Sequence, residues 1–576
     1  MSASRMAEVA VLLDREAAIA RWARGENVFE RFVVEVLEHA GIPFRVVECM
    51  QQLIGLDDNA VRPDVLIAAL EPEAGSENHE AMWKFAEEGG MLISFAGLDA
   101  FAPRLGCVVA GGFGPGYARL TESLGDPRPL RFLLADVWRA SGTVPVEEQG
   151  ALLAGSPNGE PIGAALQRFA VGRGSIHRWA VDLPGTWVGL QQGTQPVTKD
   201  GVPAPDGTAA IDDKMLKADD GFELDWVHDR VQTDTGFNYF PHPYSDLWKE
   251  AFIGQLLSVT LEAGVPLPFV GYWPDGVEQV ALISHDSDRN EDETAITTLR
   301  VLKECDIRST WCMLEPGFHP SIYEQVVADG HELAFHYNGM AEQKGGWSEA
   351  EFDRQFAWLQ EATGIRKFAS NKNHYTRVEG WGEYFRWCEK HGIETDQTRG
   401  ASKRGNIGYL FGTCHPYFPI AWADEQNRSY DVLENGFLTQ DLDHERLADS
   451  SVLMPFLEHA KRVQGVAHFL FHQFHIHNQP RVTDALRKVV RVAHEEGFTF
   501  MTGQEINDWE RARRHLRVER LDEQGGAIVS SSLADAASRA GQAVVWIPRT
   551  LGGEAGVDEG VAMKFGVRCV KQVAAF

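Results

Sequence analysis

Short apolar runs separated by helix-length amphipathic segments recur through the second half of this chain. That alternation restricts it to parallel α/β architectures, because parallel neighbours need a crossover and a helix supplies it. The first such run, Val280-Ala281-Leu282-Ile283, leads into Ser284-His285-Asp286-Ser287-Asp288. Side chains two apart on a strand share a face, so Asp286 and Asp288 leave the strand end on one side. Two carboxylates held that close need a cation or a shared proton to relieve them, which points to a metal site, an acid/base pair or both. Asp-x-Asp is also common in solvated loops, and it gains weight only from the segments behind it.

Residues 295–303 read as an amphipathic helix, and Ser309-Thr310-Trp311-Cys312-Met313-Leu314 as the next buried strand. A helix near 322–328 ends at Gly330, and His331-Glu332-Leu333-Ala334-Phe335-His336 reads as another strand. His331 and His336 then point to opposite faces. His336, at the C-terminal end, is the metal-ligand candidate, since parallel α/β folds build their sites there. Phe368-Ala369-Ser370-Asn371-Lys372-Asn373-His374-Tyr375 is an unusually polar strand end. In residues 465–477, His468 and His472 fall at strand spacing, and His475 and His477 follow beyond it. Singly, each histidine is also explained as a hydrogen-bonded structural group. As an ordered set at strand ends, together with the aspartate pair, they point to one site.

In this order the motifs resemble the polysaccharide deacetylase superfamily, carbohydrate esterase family four, over roughly residues 270–510, one domain's length. The carriers are the aspartate pair, Gly330 to His336, Gly465 to His472, and Glu496-Gly497-Phe498-Thr499-Phe500-Met501-Thr502. The resemblance implies an irregular (β/α) barrel and metal-dependent hydrolysis of an amide or ester, first of all deacetylation of an N-acetylated carbohydrate-like substrate. It implies a divalent metal ion, zinc before others, held by Asp288, His336 and His374 with a position left for water. Asp286 is the implied general base and His472 the general acid. Asp396 is expected to orient His472, with a loop cap as its equal alternative. The family's second metal histidine falls here at Met340, a poor ligand for such a cation, which is why His374 takes its place. The arginine-and-proline motif of the next strand is missing, and Lys372 and Arg377 are the stand-ins. His415 and His475 are expected to approach the substrate. An amidase acting on a small non-sugar amide, and an inactive barrel serving as a binding or scaffold protein, are the alternatives.

The first 195 residues alternate strands and helices in the manner of a doubly wound parallel sheet. They resemble the class I glutamine amidotransferase-like (flavodoxin-like) fold. No cysteine occupies the nucleophile turn, since Phe95-Ala96-Gly97 follows the strand, so a non-catalytic domain is expected. Residues 196–265 read as a linker and connecting segment, 266–513 as the barrel, and 514–576 as a small β-rich appendage. Within the connecting segment, residues 225–246 are aromatic and are expected to pack against a neighbouring domain.

A formal charge of -29 argues against a nucleic-acid partner and against anionic membranes. No run reaches transmembrane length and the N-terminus has no apolar signal region, so a cytoplasmic location and a small-molecule or oligosaccharide substrate are expected. A homo-oligomer stays open. Seven scattered cysteines without a Cys-x-x-Cys pair indicate neither a structural zinc module nor a disulfide framework.

Overall fold

The structure, a computed structural model, describes residues 5–54, 62–142, 145–212, 215–444, 447–532, 543–550 and 560–574. It is a mixed α/β protein built around a curved parallel sheet. The strand order is Leu433–Glu434, Thr395–Asp396, Ser370–Asn373, Glu332–Tyr337, Thr310–Met313, Gln279–Asp286, Val466–Leu470 and Thr439–Gln440. Phe498–Phe500 pairs with the start of Gln279–Asp286. The stretch 433–440 meets Thr395–Asp396 at its beginning and Val466–Leu470 at its end, so one segment bridges both ends of the sheet.

Every residue of Gln279–Asp286 is buried, as a strand covered on both faces requires. The register aligns Asp286 with Cys312 and His336 with Lys372, which collects the chemistry at the C-terminal strand ends. Helices Asp292–Cys305, Pro320–Ala328, Glu349–Thr363 and Pro480–Glu495 return the chain. Pro320 and Pro480 occupy first turns, where a missing N–H is harmless. Gly330, at φ +81°, makes the left-handed turn into the His331 strand that a Cβ would strain.

The N-terminal region has a seven-stranded sheet in the order Arg45–Val47, Val9–Leu13, Val65–Leu70, Met91–Phe95, Gly174–Trp179, Leu166–Val171 and Glu147–Gln149. The first five strands are parallel, Leu166–Val171 runs against them, and Glu147–Gln149, antiparallel to Leu166–Val171, runs with them again. Ala96 and Leu98 adopt left-handed conformations in the turn after Met91–Phe95, and Ala96 offers no nucleophilic atom. Between Phe95 and Gly174 lies an antiparallel insertion that the sequence reading missed. Its strand Cys107–Phe113 carries a register shift between Val109 and Gly111, and Val108 and Val109 are both exposed, so the two-residue alternation is broken.

The connecting segment is tied to the parallel-sheet region rather than free. Val197 bridges Gly380, Lys217 bridges Arg377, and Ala209 donates its N–H to the Arg404 carbonyl at 2.8 Å. Phe222, Trp226 and Phe240 pack on one another, with centroids 4.6–5.9 Å apart. Phe269–Pro274 lies inside the range assigned to the barrel, yet it pairs with Ala543–Pro548 of the C-terminal sheet. Among the described residues no helix is long and apolar enough to cross a membrane.

A buried ionic cluster joins the N-terminal region to helix Gly503–Arg514. Glu35 accepts two hydrogen bonds from Arg514, at 2.6 and 2.7 Å. Glu510 meets Arg513 at 2.6 Å, Arg514 at 2.7 Å and His39 Nδ1 at 2.9 Å. Burial alone would raise the Glu510 carboxyl, but Arg513, Arg514 and His39 outweigh it and hold it well below its ordinary value. Glu510→Gln should therefore cost about 3–5 kcal/mol at neutral pH, because it leaves Arg513 buried without its counter-charge. A depressed carboxylate stabilises the fold fully above its unfolded pKa and loses that contribution as pH falls toward the folded value. Denaturant midpoints of wild type and variant should converge in acid, below the usual carboxylate range.

Candidate metal centre

Asp286 ends its strand, Asp288 lies two residues beyond, His336 sits near the end of the second strand over, and His374 directly follows Ser370–Asn373. The ligand atoms of Asp288, His336 and His374 all lie within 4.8 Å of one another. Asp288 places Oδ1 3.5 Å from His336 Nε2 and Oδ2 3.4 Å from His374 Nε2. His336 Nδ1 donates to the Lys372 carbonyl at 2.9 Å, which leaves the Nε2 lone pair aimed at the carboxylates. Nε2 of His336 and Oδ1 of Asp288 are both buried and have no hydrogen-bond partner. Two acceptors facing each other in that condition repel unless a cation lies between them, so this donor set fits a divalent metal. His374 is backed in turn by Asn338, whose Oδ1 lies 3.4 Å from His374 Nδ1. Met340 is outside the ligand set; its backbone N–H donates to the same Asn338 oxygen at 3.0 Å.

Asp286 has a different environment. The Lys372 ammonium, 1% exposed, sits 3.1 Å from Asp286 Oδ1 and donates to Ser284 Oγ at 2.7 Å. Burial would raise the Asp286 carboxyl, but Lys372 first, then His336 and His472, lower it. Asp288 is held well below its ordinary value, burial again being outweighed by His374 and His472. Both acids are therefore ionised at neutral pH.

His472 caps the start of helix Gln473–Asn478 and donates from Nδ1 to Asp441 Oδ2 at 2.6 Å, while its backbone N–H reaches Asp441 Oδ1 at 2.8 Å. Its Nε2 lies 3.5 Å from Asp288 Oδ2 and 4.0 Å from Asp286 Oδ2. Burial would lower this imidazole, but Asp441, Asp288 and Asp286 raise it to about 10. The ring is thus an imidazolium facing the site, able to give up a proton. Asp441, His472 and His475 also lie at metal-binding distances, yet the direct Asp441–His472 hydrogen bond already satisfies that pair.

Three expectations need correction. Asp396 does not meet His472: it accepts from Asn371 at 2.6 Å and from the Thr398 N–H and hydroxyl at 2.9 Å, because its strand lies across the sheet from Val466–Leu470. The carboxylate that orients His472 is Asp441, which follows Thr439–Gln440 beside that strand. His415 is buried at the junction with the N-terminal region, bonded to the Val463 carbonyl at 2.8 Å and packed between His39 and Tyr272. Arg377 pairs with Glu379 and the Gly339 carbonyl, bracing a loop instead of lining the cavity. Lys372 and His475 do line it, as do Asp286, Asp288, His374 and His472. The cavity holds about 700 Å³. Lys217, from the connecting segment, also faces it, and no local motif announced that residue. Asp441 was missed because its strand is two residues long and shows no periodicity.

No protein-family model matches the chain, and no curated protein matches it significantly. Solved structures similar to it include a candidate polysaccharide deacetylase from Mycobacterium smegmatis, with 18% identity, a TM-score of 0.33, and 42% of this chain and 94% of that one covered. The Puue allantoinase gives 14% identity and a TM-score of 0.30, covering 41% and 91% of the two chains. A β-galactosidase from Bacillus circulans sp. alkalophilus gives 16% identity and a TM-score of 0.23, covering 32% and 29%. At these levels the reading of the site rests on its own residues.

His336→Ala and Asp288→Asn should each reduce a stoichiometric divalent metal to trace occupancy in purified protein. Met340→Ala should leave it in place. Elemental mass spectrometry of the three variants checks this.

Proposed function

We propose that this protein is a metal-dependent hydrolase that cleaves a C–N amide (or ester) bond, most directly removing the acetyl group of an N-acetylated carbohydrate-like substrate. The observation that carries the reading is the buried, unpartnered pair His336 Nε2 and Asp288 Oδ1 beside an ionised Asp286. Asp288, His336 and His374 would hold the ion, and zinc suits a set of two imidazoles and one carboxylate. Bound there, the cation supplies Lewis acidity, which makes a water nucleophilic near neutral pH and polarises a carbonyl.

The chain's own residues do the rest. Asp286 takes the proton of the attacking water, and Lys372 keeps that carboxylate ionised and fixed in orientation. The new bond joins the water oxygen to the acyl carbon. As the C–N bond breaks, His472 Nε2 delivers its proton to the leaving nitrogen, with Asp441 stabilising the imidazolium beforehand. The products are a carboxylic acid and a free amine. A cytoplasmic location accords with a small acylated substrate better than with a cell-wall polymer. In the same proposal residues 1–195 form a non-catalytic, glutamine amidotransferase-like domain, supported by Ala96 at the turn where a nucleophile would stand.

Acetate release from a panel of N-acetylated sugars and small N-acetyl amides tests the chemistry. Asp286→Asn should lower kcat by about 100-fold or more with metal content intact. Wild-type turnover in that variant would remove Asp286 as the base. Asp441→Asn should lower the His472 pKa, so the alkaline limb of the kcat profile, where the acid loses its proton, should move to lower pH.

A further inference from the structure

Arg289 directly follows the ligand Asp288, on the loop before helix Asp292–Cys305, and faces the same cavity. It is exposed, and its guanidinium lies 4.1 Å from the centre of the Phe474 ring. The chain has 83 acidic against 54 basic side chains, so a cation without a counter-charge is unexpected. Among the described residues, no carboxylate pairs with Arg289. The two lysines lining the cavity do have partners: Lys372 binds Asp286 at 3.1 Å, and Lys217 binds Asp212 at 3.2 Å. Of the cavity's carboxylates, Asp286 is engaged by Lys372 and Asp441 by His472, while Asp288 belongs to the metal set. Among the described residues, Arg289 is thus a cavity cation with no ion pair to a carboxylate. Stacking on Phe474 holds its planar fork in place and leaves the N–H edge open.

We infer that the substrate carries a carboxylate and that Arg289 binds it through both oxygens. A guanidinium pre-set in this way matches the planar two-oxygen geometry of a carboxylate. Phe474 lies two residues beyond His472, on the helix that His472 caps, and Arg289 itself follows Asp288, so the guanidinium meets the cavity beside both the general acid and the metal set. The substrate class is an N-acylated compound that carries a carboxylate, such as an N-acylated amino acid or an N-acylated acidic amino sugar. This inference rests on the hydrolase reading of the same cavity.

The test measures affinity by calorimetry on metal-loaded protein, using matched acid and neutral pairs. These are N-acetylglycine with N-acetylglycinamide, N-acetyl-β-alanine with its carboxamide, and N-acetylmuramic acid with N-acetylglucosamine. In wild type, at least one acid should bind tenfold or more tighter than its neutral counterpart, and Arg289→Gln should erase that preference with metal content unchanged. Equal affinity within every pair, or a preference that survives Arg289→Gln, overturns the inference. Acetate assays on the same pairs keep the two claims apart. Selective binding of acids without acetate release would leave the anion subsite standing and sink the hydrolase reading. Release at equal rates from acid and neutral members would do the reverse.

Discussion

Two buried acceptors, His336 Nε2 and Asp288 Oδ1, face each other 3.5 Å apart, and the surrounding structure makes that juxtaposition tolerable. Left alone, a lone pair against a carboxylate in a buried setting is destabilising. The backbone carbonyl of Lys372 fixes the tautomer that creates the problem, and a cation between the two atoms resolves it. Polar groups nearby are paired: Lys372 against Asp286, Asp441 against His472, and Asn338 behind His374.

The same accounting separates residues of like type into different roles. Asp286 and Asp288 are two positions apart, yet one meets an ammonium and the other meets imidazoles. His472 is raised to about 10 by carboxylates, whereas His468, equally buried, is lowered to about 3 by burial first and by Lys372 second. His468 instead bonds Ser284 Oγ at 2.8 Å, the oxygen that also accepts from Lys372, so it supports the base from below. Residue type alone assigns none of these functions; the neighbouring charge does.

Elements outside the curved parallel sheet finish the site. The connecting segment bridges to Arg377 and Gly380 and contributes Lys217 to the cavity wall. The Glu35–Arg514 and His39–Glu510 contacts fix the N-terminal region to helix Gly503–Arg514. The pairing of Phe269–Pro274 with Ala543–Pro548 ties the segment just before the Asp286 strand to the C-terminal sheet.

The sequence by itself determined the alternation of buried strands and helices, the placement of Asp286, Asp288, His336, His374 and His472 near strand ends, and the exclusion of Met340 from any ligand set. These follow from local periodicity and side-chain chemistry, which are written in adjacent residues. It also made Lys372 a candidate in place of a missing arginine. Tertiary structure decided the partners. Asp441 rather than Asp396 reaches His472, because sheet order sets which strand ends are neighbours and a two-residue strand leaves no pattern to read. His415 and Arg377 were withdrawn from the cavity, and Lys217 was brought to it, since contacts between residues distant in sequence depend on how the chain closes on itself.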